Sequence, residues 1–158
     1  MDDVIFARAL HVLAVVVWIG GVSMVTTVFF PALRKGALGD NWLRIFHAVE
    51  HRFVWQARAT TLLVGLTGFY MTWRLDLWSR FRTSGFWWMH AMVCLWLIFM
   101  LLLFVGEPLV LHRRLPGWVK ASPERAFARL HYAHILLLTL AVITILGAVA
   151  GAQGWSPF

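Results

Sequence analysis

Four apolar stretches dominate the chain, running approximately over residues 4–31, 53–73, 86–106 and 135–154, with most charged residues gathered between them. A helix needs about 20 apolar residues to cross a hydrocarbon layer roughly 30 Å thick, and each stretch meets that length. The pattern therefore predicts an all-α fold: a single domain over residues 1–158, built as a bundle of four transmembrane helices with no separate soluble domain. The first stretch is too long for the apolar region of a signal peptide, and no small-residue cleavage site follows it closely, so it is expected to be a permanent span.

The loops carry boundary signals. Asp40 is placed to cap the helix beginning "NWLRIFHAVEHRF", and "SPER" puts Ser122 at a cap with Pro123 at the first helical position. The second and fourth helices are thus expected to start in the membrane interface, a few turns before hydrocarbon. Gly20 with Gly21, Gly65 with Gly68, and Gly147 with Gly151 would let helices approach closely in lipid. No internal repeat or low-complexity segment is visible.

Composition agrees with the pattern: 61% of residues are hydrophobic and 13% charged, against about a quarter charged in soluble domains. The net charge of +7 does not point to nucleic acid, because the basic residues follow the loops and form no free basic surface. Arg34, Lys35, Arg44, Arg52, Arg113, Arg114, Lys120, Arg125 and Arg129 lie around the connections after the first and third stretches, nine against the four at Arg8, Arg74, Arg80 and Arg82. The positive-inside rule then puts the N- and C-termini outside and two basic loops in the cytoplasm, as in a multi-pass protein of a bacterial inner membrane. Arg58 remains inside the second stretch, where it must snorkel or meet an anionic group. The single cysteine, Cys94, lies in mid-span and cannot form an internal disulfide.

The seven histidines carry the chemistry. An imidazole within a span is costly unless paired, solvated or ligated. His11 lies about two turns into the first helix and His90 about one turn into the third from the same membrane side, so the two can face each other. At the cytoplasmic ends, His47 and His51 are four apart, His131 and His134 are three apart, and His112 lies just past the third stretch. Two imidazoles from facing helices suit axial ligation of a b-type haem, with Trp18, Gly20 and Gly21 shaping an apolar slot. His51 and His134, with His47 and His131 as substitutes, are candidates for a second haem or a quinone site. The competing reading for each is a hydrogen-bonded or wet histidine.

Copper is the other metal to weigh, since imidazole binds Cu(II) and thioether or thiolate binds Cu(I). Met71, Met89, Met92, Met100 and Cys94 are available, but no Met-x-x-x-Met pair surrounds a histidine on one face. Among the acids, Glu50 lies between His47 and His51 and Glu107 directly precedes Pro108. Glu50 is read as a salt-bridge partner of Arg52 or Arg58, or as an acceptor or proton relay beside a ligand. No nucleophile elbow, phosphate loop or zinc-protease helix is present.

The segment "RALHVLAVVVWIGGVSMVTTVFFPAL" resembles the first helix of the CopD-like and HemJ-like membrane families. "FHAVEHRFVWQARATTLLVGLTGFYMTW" resembles the second helix of HemJ-type protoporphyrinogen oxidases, with Glu50 and Arg52 at the acidic and basic positions. "GFWWMHAMVCLWLI" is similar to the third helix of both, with His90 at the histidine position. The resemblance implies a four-helix bundle binding haem b through His11 and His90. It also implies a lysine two residues after His90, where this chain has Met92, and an acidic-proline segment where it reads "RLHYAHILLL". Both departures favour a haem protein that handles electrons over a porphyrinogen oxidase.

The expectation is an integral membrane redox protein with one or two haems, passing electrons between a quinol-like membrane donor and a partner subunit or small oxidant. The alternatives are a HemJ-like protoporphyrinogen oxidase and a CopD-like copper transport or resistance protein.

Overall fold

The computed structural model describes residues 1–37, 39, 41–109, 113, 117–118 and 122–155. The expected cap Asp40, together with His112, Arg114 and Lys120, lies outside the described residues. Among those described there is no strand. Four long helical segments account for most of the described residues: α1, Asp2–Arg34; α2, Trp42–Arg74; α3, Ser84–Leu109; and α4, Pro123–Ala152. A 3-10 segment, Leu77–Arg82, joins α2 to α3.

Three of these segments, in α1, α3 and α4, are long and apolar enough to cross a membrane. α2 has the length, at 33 residues, but Gln56, Arg58 and a series of threonines dilute its apolar half. Ile5, Leu13, Leu66, Leu101, Leu136 and Leu146 are all exposed on the exterior. An apolar exterior of this extent belongs against lipid. α2 and α4 begin roughly three turns before residues 53 and 135, so their first turns are the polar lead-ins that the loop signals suggested. Ser122 is the N-cap residue of α4 and a proline opens its first turn, but the serine side chain makes no capping bond.

The helices pair as two antiparallel hairpins, α1 on α2 and α3 on α4. Asp3, at the start of α1, accepts hydrogen bonds from Tyr70 (2.8 Å) and Arg74 (3.0 Å) at the end of α2. Glycine spacing is used for aromatic rings. A Cβ at Gly21 would stand 2.6 Å from Phe53, one at Gly65 would meet the Trp96 ring at 2.6 Å, and Trp87 and Trp88 lie against Gly147 and Gly151. The Trp96 indole N–H also donates to the Thr61 carbonyl at 2.9 Å, which fixes the ring over Gly65. One core cluster gathers Trp18, Val22, Val64, Leu95, Phe99 and Ala141 in mid-bundle; a second gathers Val25, Phe30, Phe46, Ala126 and Phe127 toward the end where α1 and α3 finish. That end is called the basic end below, and the opposite one the terminal end.

Near the basic end both α1 and α3 widen into a π-helical stretch, Val25–Phe29 in α1 and Leu102–Gly106 in α3. Each is closed by a proline, Pro31 and Pro108. Proline has no amide hydrogen and its ring crowds the preceding turn, so an α-helix cannot pass through it undisturbed. In α1 the Phe30 amide bonds the Val25 carbonyl, five residues back. The amide that would serve Thr26 in the same register belongs to Pro31, and the Thr26 carbonyl instead accepts from His131 Nε2–H of α4 at 3.0 Å. In α3 the Glu107 amide bonds Leu102, and the amide that would serve Leu103 belongs to Pro108. The Leu103 carbonyl accepts from Arg58 Nε–H (3.1 Å) and Nη2–H (2.9 Å) of α2. Each proline-freed carbonyl is thus capped by a side chain of the other hairpin, which pins the two hairpins together at the basic end.

Candidate functional site

A cavity of about 470 Å³ lies between the hairpins in the terminal half of the bundle. All four helices line it: His11, Val15, Trp18 and Gly20 from α1; Val64, Gly65 and Gly68 from α2; Met89, Met92 and Trp96 from α3; Ala141, Thr144 and Ala148 from α4. Trp78 and Phe81 of the 3-10 segment roof it. The walls are almost wholly apolar and aromatic, and the volume falls in the range of sites for cofactor-sized molecules.

His11 is the one imidazole among the described lining residues, and its neighbours fix its state. Nδ1 lies 2.9 Å from Thr67 Oγ1. The single Thr67 hydroxyl proton is directed back to the Leu63 carbonyl at 2.6 Å, so the threonine oxygen accepts and His11 Nδ1–H donates. The ring also lies against the Val64 backbone, and no hydrogen bond to Nε2 occurs among the described residues. A side chain hydrogen-bonded through one ring nitrogen, with the other bare in an apolar cavity, is the arrangement of a metal-ligating histidine with its orienting contact. Gly68 makes room for the ring: a Cβ there would lie 3.4 Å from His11 Cε1.

The structure does not bring His90 into this cavity. His90 is exposed, and its Nε2–H donates to the Phe81 carbonyl at 3.0 Å, tying α3 to the 3-10 segment. Its neighbours on α3, Met89 and Met92, are what face the cavity. The sequence spacing placed His90 at the right depth but could not give the rotation of α3 about its axis. Trp18 and Gly20 line the cavity as expected; Gly21 does not, because Phe53 occupies its open side. The sequence does not single out Thr67, and it presents Gly65, Gly68 and Met92 as close-packing or copper-binding residues; their place around His11 follows only from how α1, α2 and α3 pack.

At the basic end the candidate histidines separate. His131 has both ring nitrogens engaged, Nε2–H on the Thr26 carbonyl and Nδ1 facing Arg34 Nη1 at 3.5 Å, while its ring stacks on Phe30 at 5.4 Å. It is a structural cap with no nitrogen left for a metal. His134 donates Nδ1–H to the Leu130 carbonyl at 2.8 Å, and its ring edge meets Phe30 at 5.0 Å. Its Nε2 is open among the described residues. His47 and His51 are exposed. A pocket of about 460 Å³ at this end is lined by Leu33, Arg34, Trp42, Glu124 and Phe127, with no histidine among its described residues.

Arg58 meets its anionic group in Glu107, at 2.8 Å, and is framed by the Trp55 and Phe104 rings. This answers which acid Arg58 takes: the one beside Pro108, not Glu50. No group of three or more His, Cys, Asp or Glu able to hold a metal occurs among the described residues. Compared with family models, curated proteins and solved structures, the chain matches none.

Proposed function

We propose that this chain is a multi-pass membrane protein that holds a b-type haem in the cavity between its hairpins, with His11 Nε2 as an axial ligand. In this reading α2 crosses the bilayer with the other three helices, the termini lie outside, and the basic loops face the cytoplasm of a bacterial inner membrane. The observation that carries it is the His11–Thr67 pair: a histidine held in one tautomer, its other nitrogen bare in an apolar, aromatic-walled cavity of cofactor size. A lone pair open in so apolar a site calls for a partner that the described lining does not supply.

A bound haem would supply one-electron exchange, between a quinol-like donor and a partner or small oxidant. The chain's own residues do the rest. Thr67 orients the imidazole; Gly65 and Gly68 keep α2 from filling the slot; Trp18, Trp78, Phe81 and Trp96 exclude water from the ligand plane. His134, with Nε2 open and Nδ1–H fixed, is the remaining candidate for a second haem or a quinone at the basic end.

Absorbance of the detergent-purified protein, oxidised and then reduced, tests the reading. A reduced b-type spectrum that is lost in His11→Ala supports it, and a colourless protein overturns it. A second reading has its own observation: His11, Met89 and Met92 line one cavity, a nitrogen and thioether set that Cu(I) accepts. Stoichiometric copper without pigment would favour that reading, and turnover of protoporphyrinogen would assign a pigmented protein to porphyrin oxidation.

A further inference from the structure

The cavity holds one imidazole but two thioethers, and the chemistry of its remaining lining narrows what can stand opposite His11. The hydroxyls of Thr72 and Thr144 donate to the carbonyls of Gly68 and Leu140, at 2.9 Å and 2.7 Å. Indole N–H groups are donors only and cannot ligate a metal. A neutral hydroxyl is a weak ligand even with its proton placed elsewhere, so the sulfur atoms of Met89 and Met92 are the side-chain ligands suited to a haem iron among the described lining residues.

Register decides between the two. On α2, Trp96 lies over Gly65 and His11 lies over Gly68, three residues nearer the terminal end. On α3, which runs antiparallel to α2, Met92 lies about one turn nearer that same end than Trp96. Met92 therefore stands at the level of His11, and Met89 about a turn beyond it. His90 is turned away, with its Nε2–H on the Phe81 carbonyl.

Resting on the haem reading above, we infer that the second axial ligand of the metal at His11 is the Met92 thioether and not His90. A His/Met pair is softer than bis-histidine and raises the reduction potential, so the site is built to accept electrons from a membrane donor more readily than a bis-histidine haem would.

Spectra and redox titrations of the purified full-length protein and four variants provide the test. Met92→Leu, close to the methionine in volume, keeps haem but loses the low-spin spectrum. Met92→His restores it at a lower midpoint potential. Met89→Leu, in the cavity wall, stays low-spin whatever its potential, and His90→Ala, outside the cavity, stays low-spin at the wild-type potential. A low-spin spectrum persisting in Met92→Leu, or lost in His90→Ala or Met89→Leu, overturns the ligand assignment and leaves the haem reading standing. Wild-type protein without haem overturns the haem reading and the assignment together.

Discussion

The two helix exits at the basic end face the same backbone problem with different residues. "VTTVFFP" in α1 and "LLFVGEP" in α3 share only a mid-stretch valine and the final proline, yet both widen over five residues and both leave the second carbonyl of the stretch without an amide. In hydrocarbon an unpaired carbonyl costs several kcal/mol, because no water replaces the lost bond. One exit is closed by a histidine through a single N–H, the other by an arginine through two, with a further N–H on Glu107. The contrast teaches that the proline creates the requirement and the opposite hairpin chooses the donor. A neutral imidazole serves where the carbonyl needs one bond and an aromatic neighbour, Phe30, offers a stacking face. A guanidinium serves where an acid must be held as well.

Removing the arginine should have the largest effect. Arg58→Met leaves the Leu103 carbonyl without its donor and removes the guanidinium that lies 2.8 Å from Glu107, whose side chain is only 10% exposed. Breaking a buried pair from one side costs about 3–5 kcal/mol. Thermal unfolding in detergent should show Arg58→Met as the least stable single variant at either exit, and the double variant Arg58→Met/Glu107→Gln as partly recovered. Wild-type stability in Arg58→Met would mean that the guanidinium is not closing the α3 exit.

His131→Ala should cost less, about 1–3 kcal/mol, the range for stranding one buried acceptor. The sharper form is a double-mutant cycle with the proline. Pro31→Ala returns an amide to the α1 exit, so the Thr26 carbonyl no longer depends on α4. The loss on His131→Ala should then shrink by about 1–2 kcal/mol, within the range of coupling between residues in one network. Additive losses in the cycle would break the link between the proline and the cap. On the haem reading proposed above, haem content should be unchanged in His131→Ala, since Nε2–H is committed to the Thr26 carbonyl and Nδ1 faces Arg34.

The difference between the exits also marks how far the sequence could be read. The apolar stretches and the polar lead-ins follow from composition and spacing, and the structure has a long helix at each, whereas no side-chain cap bond forms at the start of α2 or α4. His11 was legible because an imidazole deep in an apolar run has no cheap unpaired state. His131 and Arg58 were legible as residues needing partners, but their partners were backbone carbonyls freed by prolines on other helices, and carbonyls carry no side-chain signal. His90 failed for a related reason. Depth along a helix follows from counting residues, whereas rotation about its axis is set by which rings settle on which glycines: Trp96 over Gly65, Trp87 at Gly147 and Trp88 at Gly151 turn Met92, not His90, toward the cavity.

The smallest effect is expected where the hairpin tie is wet. At the terminal end Asp3 accepts from Tyr70 and Arg74 and pairs with the N-terminal ammonium at 3.2 Å, as many polar contacts as Arg58 makes at the α3 exit and more than His131 makes on the α1 exit carbonyl. Its side chain and that of Arg74 are nonetheless well exposed, at 37% and 51%. Water competes for each of these bonds, so an ion pair here adds little, and salt screens what remains. Asp3→Asn should leave the melting temperature within error of wild type at moderate salt, with any loss confined to low ionic strength. A drop as large as that of His131→Ala would show that the α1–α2 hairpin is held from its terminal end, and the ranking of burial over number of contacts, on which the comparison of the two exits rests, would fail.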